Sequence, residues 1–237
     1  MKIVILIQAR NGSTRLSGKS VMKLGDRTLL EHVFAGVRLS GRADKICLCT
    51  SVNPVNDSLC DLAKINGIES FRGDENDVLG RLLEAAKKLQ ADLVVRVCAD
   101  NPFINGTVID YLIDFFLTND VDYAFNHIPS GTNRYPDGLG AEILRYSLLE
   151  KIAGDSNLPE DREHVTRYIW RNKDKFRIGS PVAPPEIAFP RIKLDIDTQI
   201  DFDKMNSLYH YMQTRGLSIT NAAAVCSAYN EFFQENS

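Results

Sequence analysis

The segment "QARNGSTRLSGKS", residues 8–20, carries three cations and two glycines directly after an apolar run. Arg10, Arg15 and Lys19 supply positive charge, and glycines allow backbone N–H groups to approach an anion closely. Gly12 and Gly18 are separated by five residues, one more than a P-loop has between its first glycine and its Gly-Lys-Ser/Thr end. This spacing excludes a Walker loop. The composition favours a triphosphate-binding loop over the alternative, a solvated turn with incidental charges.

A carboxylate follows a second apolar run, in "RVCADNP", residues 96–102. Asp100 stands just beyond the end of a predicted strand, at the edge where open α/β sheets bind their ligands. The basic loop is expected at the same edge. A carboxylate there can hold Mg²⁺ between the protein and phosphate groups. The alternative is that Asp100 is the N-cap of the helix that follows.

Two further carboxylates occur in "KLDIDT", residues 193–198. On a predicted strand, Asp195 and Asp197 are two residues apart and therefore point the same way. Adjacent like charges repel, and a divalent cation would offset them. The alternative is an exposed strand end whose Asp197 caps the next helix. The spacing alone leaves both interpretations open.

The elements that must position these residues alternate in the first half of the chain. Apolar runs predict strands at 3–8, 45–51, 68–71, 92–98 and 122–126. Helical spacing predicts helices at 28–39, 55–67, 77–90 and 105–119, with Asp77 as an N-cap. This alternation predicts an α/β fold with a mostly parallel, doubly wound sheet.

The alternation breaks after Asn126, where the sequence becomes rich in Gly, Pro and Asn. A turn at 136–138, a strand at 139–144 and a helix at 161–173 are predicted, followed by the Pro-rich "SPVAPPEIAFP". A strand at 191–197 and helices at 200–213 and 218–233 complete the chain. We therefore predict one domain over 1–237, with a small inserted subdomain at about 127–190.

The composition limits the classes of function. The chain has 237 residues, 44% hydrophobic and 25% charged, with a net charge of −3, which argues against a general nucleic-acid binder. Five cysteines without regular spacing fit a reducing compartment. The sequence shows no targeting signal and no membrane-spanning run, so a cytoplasmic location is expected. None of the four histidines has zinc-site spacing.

Together, the ordered motifs resemble those of cytidylyltransferases that activate acidic sugars as CMP-sugars. They are "QARNGSTRLSGK", "FRGDENDVLGR", "RVCADNP", "YPDGLGAE", "REHVTRYI" and "LDIDT". The chain is most similar to the spore-coat polysaccharide branch, and more distantly to the 3-deoxy-manno-octulosonate and acylneuraminate enzymes. The resemblance implies a three-layer fold of the nucleotide-diphospho-sugar transferase type. It also implies transfer of CMP from CTP to a 2-keto-3-deoxy acidic sugar, with release of pyrophosphate, for surface polysaccharide biosynthesis.

The resemblance also implies site residues. Arg15, Lys19 and Asp100 would be catalytic. The residues implied to bind the nucleotide are Ala9, Arg10, Gly12, Ser13, Arg15, Lys19, Arg72, Asp77 and Arg81. Asp100 and Asp197, helped by Asp195, would hold Mg²⁺. The residues implied to face the sugar are Asp137, Glu142 and His164. Related enzymes are dimers, which implies a homodimer formed through the inserted segment.

The chain departs from the family pattern at three places in these motifs. Gln8 stands where the octulosonate enzymes usually have proline, a feature of the spore-coat branch. Ser17 replaces the usual proline of the loop, and Ala99 replaces the usual glycine before the metal-binding carboxylate. No Ser-His-Asp or Cys-His arrangement is evident, and His164 is the one candidate base. Three alternatives stay open: a nucleotidyltransferase with another nucleotide or acceptor, a metal-dependent glycosyltransferase, and a non-catalytic nucleotide-binding subunit.

Overall fold

A seven-stranded sheet forms the centre of the protein in the computed structural model, which describes residues 1–12 and 15–235. The strands are β1 (Ile3–Gln8), β2 (Lys23–Leu24), β3 (Arg27–Thr28), β4 (Lys45–Ser51), β5 (Glu69–Gly73), β6 (Leu93–Cys98), β7 (Tyr123–Phe125), β8 (Glu142–Arg145) and β9 (Ile178–Gly179). The order in the central sheet is β5-β4-β1-β6-β8-β7-β9, and β2 and β3 form a separate hairpin. Only β8 is antiparallel to its neighbours in this sheet.

Helices cover both faces of the sheet. They are α1 (Leu29–Val37), α2 (Asp57–Ile65), α3 (Val78–Lys88), α4 (Gly106–Thr118), α5 (Tyr146–Asp155), α6 (Pro159–Glu163), α7 (Arg167–Arg171), α8 (Gln199–Thr214) and α9 (Ala222–Glu235). Alternate residues of β1 enter different cores because side chains alternate across a strand. Ile5 packs with α1, α2 and α4, whereas Leu6 packs with α3, α5 and α7. The predicted three-layer, mostly parallel α/β fold is confirmed.

A third hydrophobic core lies beside the sheet and joins α8 and α9 to residues 183–196. Ala183, Ile187 and Ala188, from the Pro-rich stretch, are buried there by their own chain. The range 127–190 also supplies β8 and β9 to the central sheet. Its predicted role in forming a homodimer stays a prediction.

The predicted strand at 191–197 is wrong. Only Lys193 forms an isolated bridge, to Asp137. The extended backbone passes between two loops: the Leu194 N–H donates to the Asp137 carbonyl at 3.0 Å, and the Ile196 N–H donates to the Asp100 carbonyl at 2.9 Å. Because the segment bonds to two separate loops, each over a short stretch, no continuous ladder of strand hydrogen bonds forms. Asp195 and Asp197 are nevertheless held at the end of β6.

The predicted helix at 161–173 is also wrong as one element, because the chain forms α6 and α7 with a break between them. His164 ends α6. At the break, the Thr166 hydroxyl donates to the Glu142 carboxylate at 2.7 Å. Helix α5 was not predicted, and Arg145 at its N-cap makes no capping hydrogen bond from its side chain.

The position of the candidate site follows from the strand order. From β1 the chain proceeds to β4 and β5 on one side, then crosses to β6 on the other side. Ligands in such sheets bind in the crevice at the carboxyl ends of the strands where the order reverses. That crevice lies between the ends of β1 and β6. Among the described helices, none combines the length and apolar character needed to cross a membrane.

Candidate active site

One hydrogen bond closes the basic loop after β1, and another holds it to the body of the protein. The Gly18 N–H donates to the Asn11 carbonyl at 3.0 Å, and the Asn11 amide donates to the Val55 carbonyl at 2.9 Å. Gly18 has φ +68, a backbone conformation that favours glycine. A short 3-10 helix then begins at Lys19. Ser13, predicted to bind nucleotide, lies outside the described residues.

The Lys19 ammonium connects the two carboxylate motifs predicted from sequence. Its Nζ lies 3.1 Å from Asp100 Oδ2, 3.6 Å from Asp197 Oδ1 and 2.7 Å from the Ile196 carbonyl. Arg15 Nη1 lies 2.9 Å from Asp197 Oδ2. The Lys19 side chain is 11% exposed, whereas that of Arg15 is 66% exposed. The structure therefore brings the three predicted catalytic residues and Asp197 into one cluster.

Neither Asp100 nor Asp197 caps a helix. Asn105 is the N-cap of α4, and its side chain accepts from two N–H groups of the first turn. Thr198 is the N-cap of α8 and forms a capping box with Asp201. The capping alternative is therefore wrong at both positions, and both carboxylates remain available for other chemistry.

Two more carboxylates stand close to this cluster. Burial raises the pKa of Asp137 to about 6, and the charge of Asp195 contributes to the increase. Burial also raises the pKa of Asp195, whose Oδ1 is buried without a hydrogen-bond partner in the described chain. Gly138 makes the approach possible: it has φ +86, and a Cβ there would lie 2.7 Å from the Asp195 nitrogen. Asp137, predicted to face the sugar, thus lies beside the predicted metal ligands.

The acidic cluster is suited to Mg²⁺, which also takes ligands from substrate and water, rather than to a metal ion held entirely by protein side chains. Within residues 1–12 and 15–235, no group of three or more His, Cys, Asp or Glu side chains is arranged to hold a metal ion. Mg²⁺ is commonly bound through one or two carboxylates, with substrate phosphates and water as the other ligands. Asp100 and Asp197 can supply those carboxylates. Asp195 pairs with Lys193 through Oδ2 at 3.3 Å, and its buried Oδ1, which has no partner among the described residues, could accept a further cation contact.

A cavity of about 220 Å³ lies at this place, and we call it the crevice cavity. Its lining includes Ala9, Arg10, Arg15, Lys19 and Asp100. The walls are therefore mainly polar, with three cations from one loop. Such a surface suits a phosphate chain, because guanidinium and ammonium groups neutralise the phosphate oxygens.

A second cavity of about 350 Å³, which we call the Trp170 cavity, adjoins the first. Arg96 and His164 line both cavities. The remaining lining residues of the Trp170 cavity are His127, Glu142, Thr166, Arg167 and Trp170. Two ligands bound in the two cavities would therefore be neighbours.

Glu142 is buried in the wall that supports both cavities. It pairs with Arg96 and accepts from the Tyr123 hydroxyl at 2.5 Å and from Thr166 at 2.7 Å. Burial would raise the pKa of Glu142, but the Arg96 charge and these hydrogen bonds lower it to about 2. His164, the other residue predicted to face the sugar, is exposed at the junction of the cavities.

Four predicted nucleotide ligands lie outside the lining of the crevice cavity: Gly12, Arg72, Asp77 and Arg81. Arg72 pairs with Asp57 at 2.6 Å and donates to two backbone carbonyls near β4. Asp77 caps α3, as predicted, and pairs with Arg162. Arg81 is buried, and its Nε and Nη2 have no hydrogen-bond partner among the described residues. Gly12 is exposed in the basic loop.

Several residues around the two cavities were not singled out from the sequence. Glu163 pairs with Arg10, with its Oε1 2.9 Å from Arg10 Nη2. Arg96 donates to the Gln8 amide oxygen at 2.9 Å and pairs with Glu142. A sequence signal for Arg96 was available, because it is the one charged residue within the apolar strand "LVVRVC". Trp170 follows a recognised motif but offers no spacing signal of its own.

The sequence of this chain is similar to that of a known protein family. The family model described as Cytidylyltransferase matches residues 4–224. The spore coat polysaccharide biosynthesis protein SpsF of Bacillus subtilis is 31% identical over 212 residues, covering 87% of this chain and 86% of that protein.

Solved structures show the same relationship. A cytidylyltransferase from Leptospira borgpetersenii superposes with a TM-score of 0.87 at 33% identity, covering 100% of this chain and 95% of that one. A CMP:2-keto-3-deoxy-manno-octonic acid synthetase, solved with CTP, superposes with a TM-score of 0.66 at 18% identity, covering 92% of this chain and 100% of that one. At that identity, the second likeness shows the fold alone.

Proposed function

This chain belongs to the cytidylyltransferase family, and from that premise we propose that it transfers CMP from CTP to an acidic sugar of the 2-keto-3-deoxy type. Pyrophosphate is released, and the product serves surface polysaccharide biosynthesis. The observation that carries the proposal is the Lys19 ammonium held between Asp100 and Asp197 at the crevice. The spore-coat relative supports the choice of pathway class, and the match to the cytidylyltransferase family model supports CTP as the nucleotide.

The proposed step is an in-line transfer. The acceptor hydroxyl oxygen forms a bond to the α-phosphorus of CTP as the bond from that phosphorus to the bridging oxygen of pyrophosphate breaks. The hydroxyl proton leaves to a base or to water. Such a step depends on positioning and on neutralising phosphate charge. Arg10, Arg15 and Lys19, which line the crevice cavity, provide the charge.

The proposal includes Mg²⁺, held by Asp100 and Asp197, with Asp195 shaping the field around them. When bound, the ion would neutralise phosphate oxygens as charge moves to the leaving group. Without the ion, the chain's own cations balance these carboxylates. Lys19 and Arg15 offset the two carboxylates in the structure, and Asp195 keeps one oxygen unpartnered among the described residues.

The nucleotide would lie along the loop after β1. Ala9 and Gly12 would offer backbone contacts, and Arg10 would reach the phosphates from the cavity wall. The contact from Ser13, which lies outside the described residues, stays a prediction. Arg81 offers two buried N–H groups with no partner in the described part of the chain, and unsatisfied buried donors favour a ligand oxygen. Contacts of Arg72 and Asp77 to the nucleotide stay predictions, since both side chains have partners in the protein.

The test is a substrate panel read out as pyrophosphate release, with mass detection of the product. CTP, UTP, ATP and GTP are each combined with Mg²⁺ and with 3-deoxy-manno-octulosonate, N-acetylneuraminate or neutral mannose. We expect pyrophosphate and a CMP-sugar with CTP and an acidic sugar. Turnover with another nucleotide or with mannose would favour a different nucleotidyltransferase. Binding of CTP without turnover would favour a non-catalytic subunit, and breakdown of a nucleotide sugar without pyrophosphate a glycosyltransferase.

We also propose a cytoplasmic homodimer. All five cysteines are free thiols, which suits a reducing compartment. Leu158 and Val182, both within 127–190, expose large apolar side chains. Light scattering at micromolar concentration should give the mass of two chains, and a monomer would contradict the proposal.

A further inference from the structure

We infer that Trp170 is a specificity-determining residue of the acceptor site, where its indole packs against the ring of an anionic sugar. This inference rests on the proposed function and adds to it a residue that contacts the acceptor. Trp170 lies on α7 and forms part of the wall of the Trp170 cavity. None of the motifs that indicate CMP transfer includes it.

The indole is positioned by other rings and is still accessible. Its ring centroid lies 5.2 Å from that of Phe125 at an interplanar angle of 69°, and 5.9 Å from that of Tyr123 at 84°. Edge-on packing of this kind is a favourable aromatic geometry. Trp170 nevertheless keeps 39% of its surface exposed. A rigid, partly exposed aromatic surface in a cavity is suited to the C–H groups of a sugar ring.

The cavity is next to the place where the transfer would occur. His164 and Arg96 form walls of both the Trp170 cavity and the crevice cavity. A sugar that packs on Trp170 can therefore direct a hydroxyl past His164 toward a phosphate beside Lys19. The volume of about 350 Å³ is within the range of small-ligand sites.

The charges of the cavity favour an anion. Arg96 and Glu142 pair with one another and contribute no net charge. Burial lowers the pKa of His127, so this side chain is neutral at pH 7. Arg167 remains, and its ion pair with Glu160 at 2.5 Å is on the surface, with 48% and 63% of the side chains exposed. Surface pairs are weak, so a ligand carboxylate can compete for this guanidinium.

The chain offers a direct readout, because Trp170 is its only tryptophan. Wild-type protein is saturated with CTP in the presence of EDTA, which prevents turnover, and titrated with 3-deoxy-manno-octulosonate, N-acetylneuraminate and mannose. We expect a saturable change of tryptophan emission with at least one acidic sugar and none with mannose. If no acidic sugar changes the emission, the inference is overturned.

Kinetics provide the second readout. Trp170→Ala should raise the acceptor KM about tenfold, equivalent to about 1.4 kcal/mol, with the CTP KM changed less than about twofold. Trp170→Phe keeps a flat ring and should recover most of the loss. Tyr111→Ala is the matched control, because Tyr111 is an exposed aromatic residue on α4 in a different cavity, and it should leave both constants unchanged.

The two possible failures are distinguishable. If wild-type protein releases no pyrophosphate with any pair of substrates, the proposed function is contradicted, while the emission titration still decides whether an acidic sugar contacts Trp170. If wild-type protein is active but Trp170→Ala keeps the acceptor KM, the proposed function stands and the role of Trp170 is overturned.

Discussion

The two clusters of charge beside the cavities are built differently. Beside the crevice cavity, Lys19 and Arg15 share the charges of Asp100 and Asp197, and Asp195, which pairs with Lys193, keeps one buried oxygen without a partner in the described structure. In the wall of the Trp170 cavity, Arg96 and Glu142 pair one to one, and Tyr123 and Thr166 complete the hydrogen bonding of the carboxylate. A buried carboxylate oxygen without a partner marks a place for a cation and its ligand, whereas a buried pair with every hydrogen bond satisfied fixes the architecture.

The first prediction tests the functional half of this comparison. Lys19→Ala should reduce turnover by about 10²–10³, the loss typical of removing a preorganised contact to developing charge. The fold should survive, because the loop is at the surface. Steady-state kinetics on the folded variant measure the effect. Lys151→Ala is the control, since that lysine is exposed on α5 and pairs with Asp155; a similar loss in both variants would contradict the assignment.

The second prediction tests the structural half. Glu142→Gln should lower the free energy of unfolding by about 3 kcal/mol, because Arg96 loses its buried partner. The folded-state pKa of Glu142, about 2, is below the ordinary value of 4.5 for a glutamate. Its stabilisation is therefore present above pH 4.5 and is lost as the pH falls toward 2. Denaturant unfolding at several pH values measures this, and a variant as stable as wild type at pH 7 would show that the Glu142 carboxylate does not stabilise the fold.

The third prediction concerns Asp137, whose substitution should change the free energy of unfolding less than Glu142→Gln does, and should increase it. The folded-state pKa of Asp137 is about 6, above the ordinary value of 3.8 for an aspartate, so ionisation of this side chain destabilises the fold. Asp137→Asn should therefore increase stability at pH 8 by roughly 1 kcal/mol after allowance for solvent screening. The gain should be absent below pH 3.8, grow as the pH rises toward about 6, and stay constant above it. Thermal unfolding without added metal tests this. A variant that is less stable than wild type at pH 8 would contradict the claim that ionised Asp137 is unfavourable beside the other carboxylates.

Sequence patterns predicted the parts of the molecule that local interactions determine. The strands β1, β4 and β6 are apolar runs that lie close to their predicted bounds, and α2 lies within the helix predicted at 55–67. The loop and the carboxylates could be proposed as one site because parallel strands place their carboxyl ends at one edge.

Long-range contacts account for what was missed. Thr166 interrupts a helical pattern because its hydroxyl binds Glu142, 24 residues earlier in the chain. The segment with Asp195 resembles a strand but is held by separate contacts to the Asp137 and Asp100 loops. The position of Asp137 depends on the close approach of Gly138 to Asp195, which no local pattern encodes.

The most direct test of the central claim, that Lys19, Asp100 and Asp197 form one unit for CMP transfer, is a double-mutant cycle on the carboxylates. The rate of CMP-sugar formation is measured against Mg²⁺ concentration for Asp100→Asn, Asp197→Asn and the double variant. We predict that each single variant weakens the Mg²⁺ dependence in the same way, and that the double variant loses little beyond the worse single one, because groups acting as a unit are non-additive. Fully additive losses would contradict a shared magnesium site.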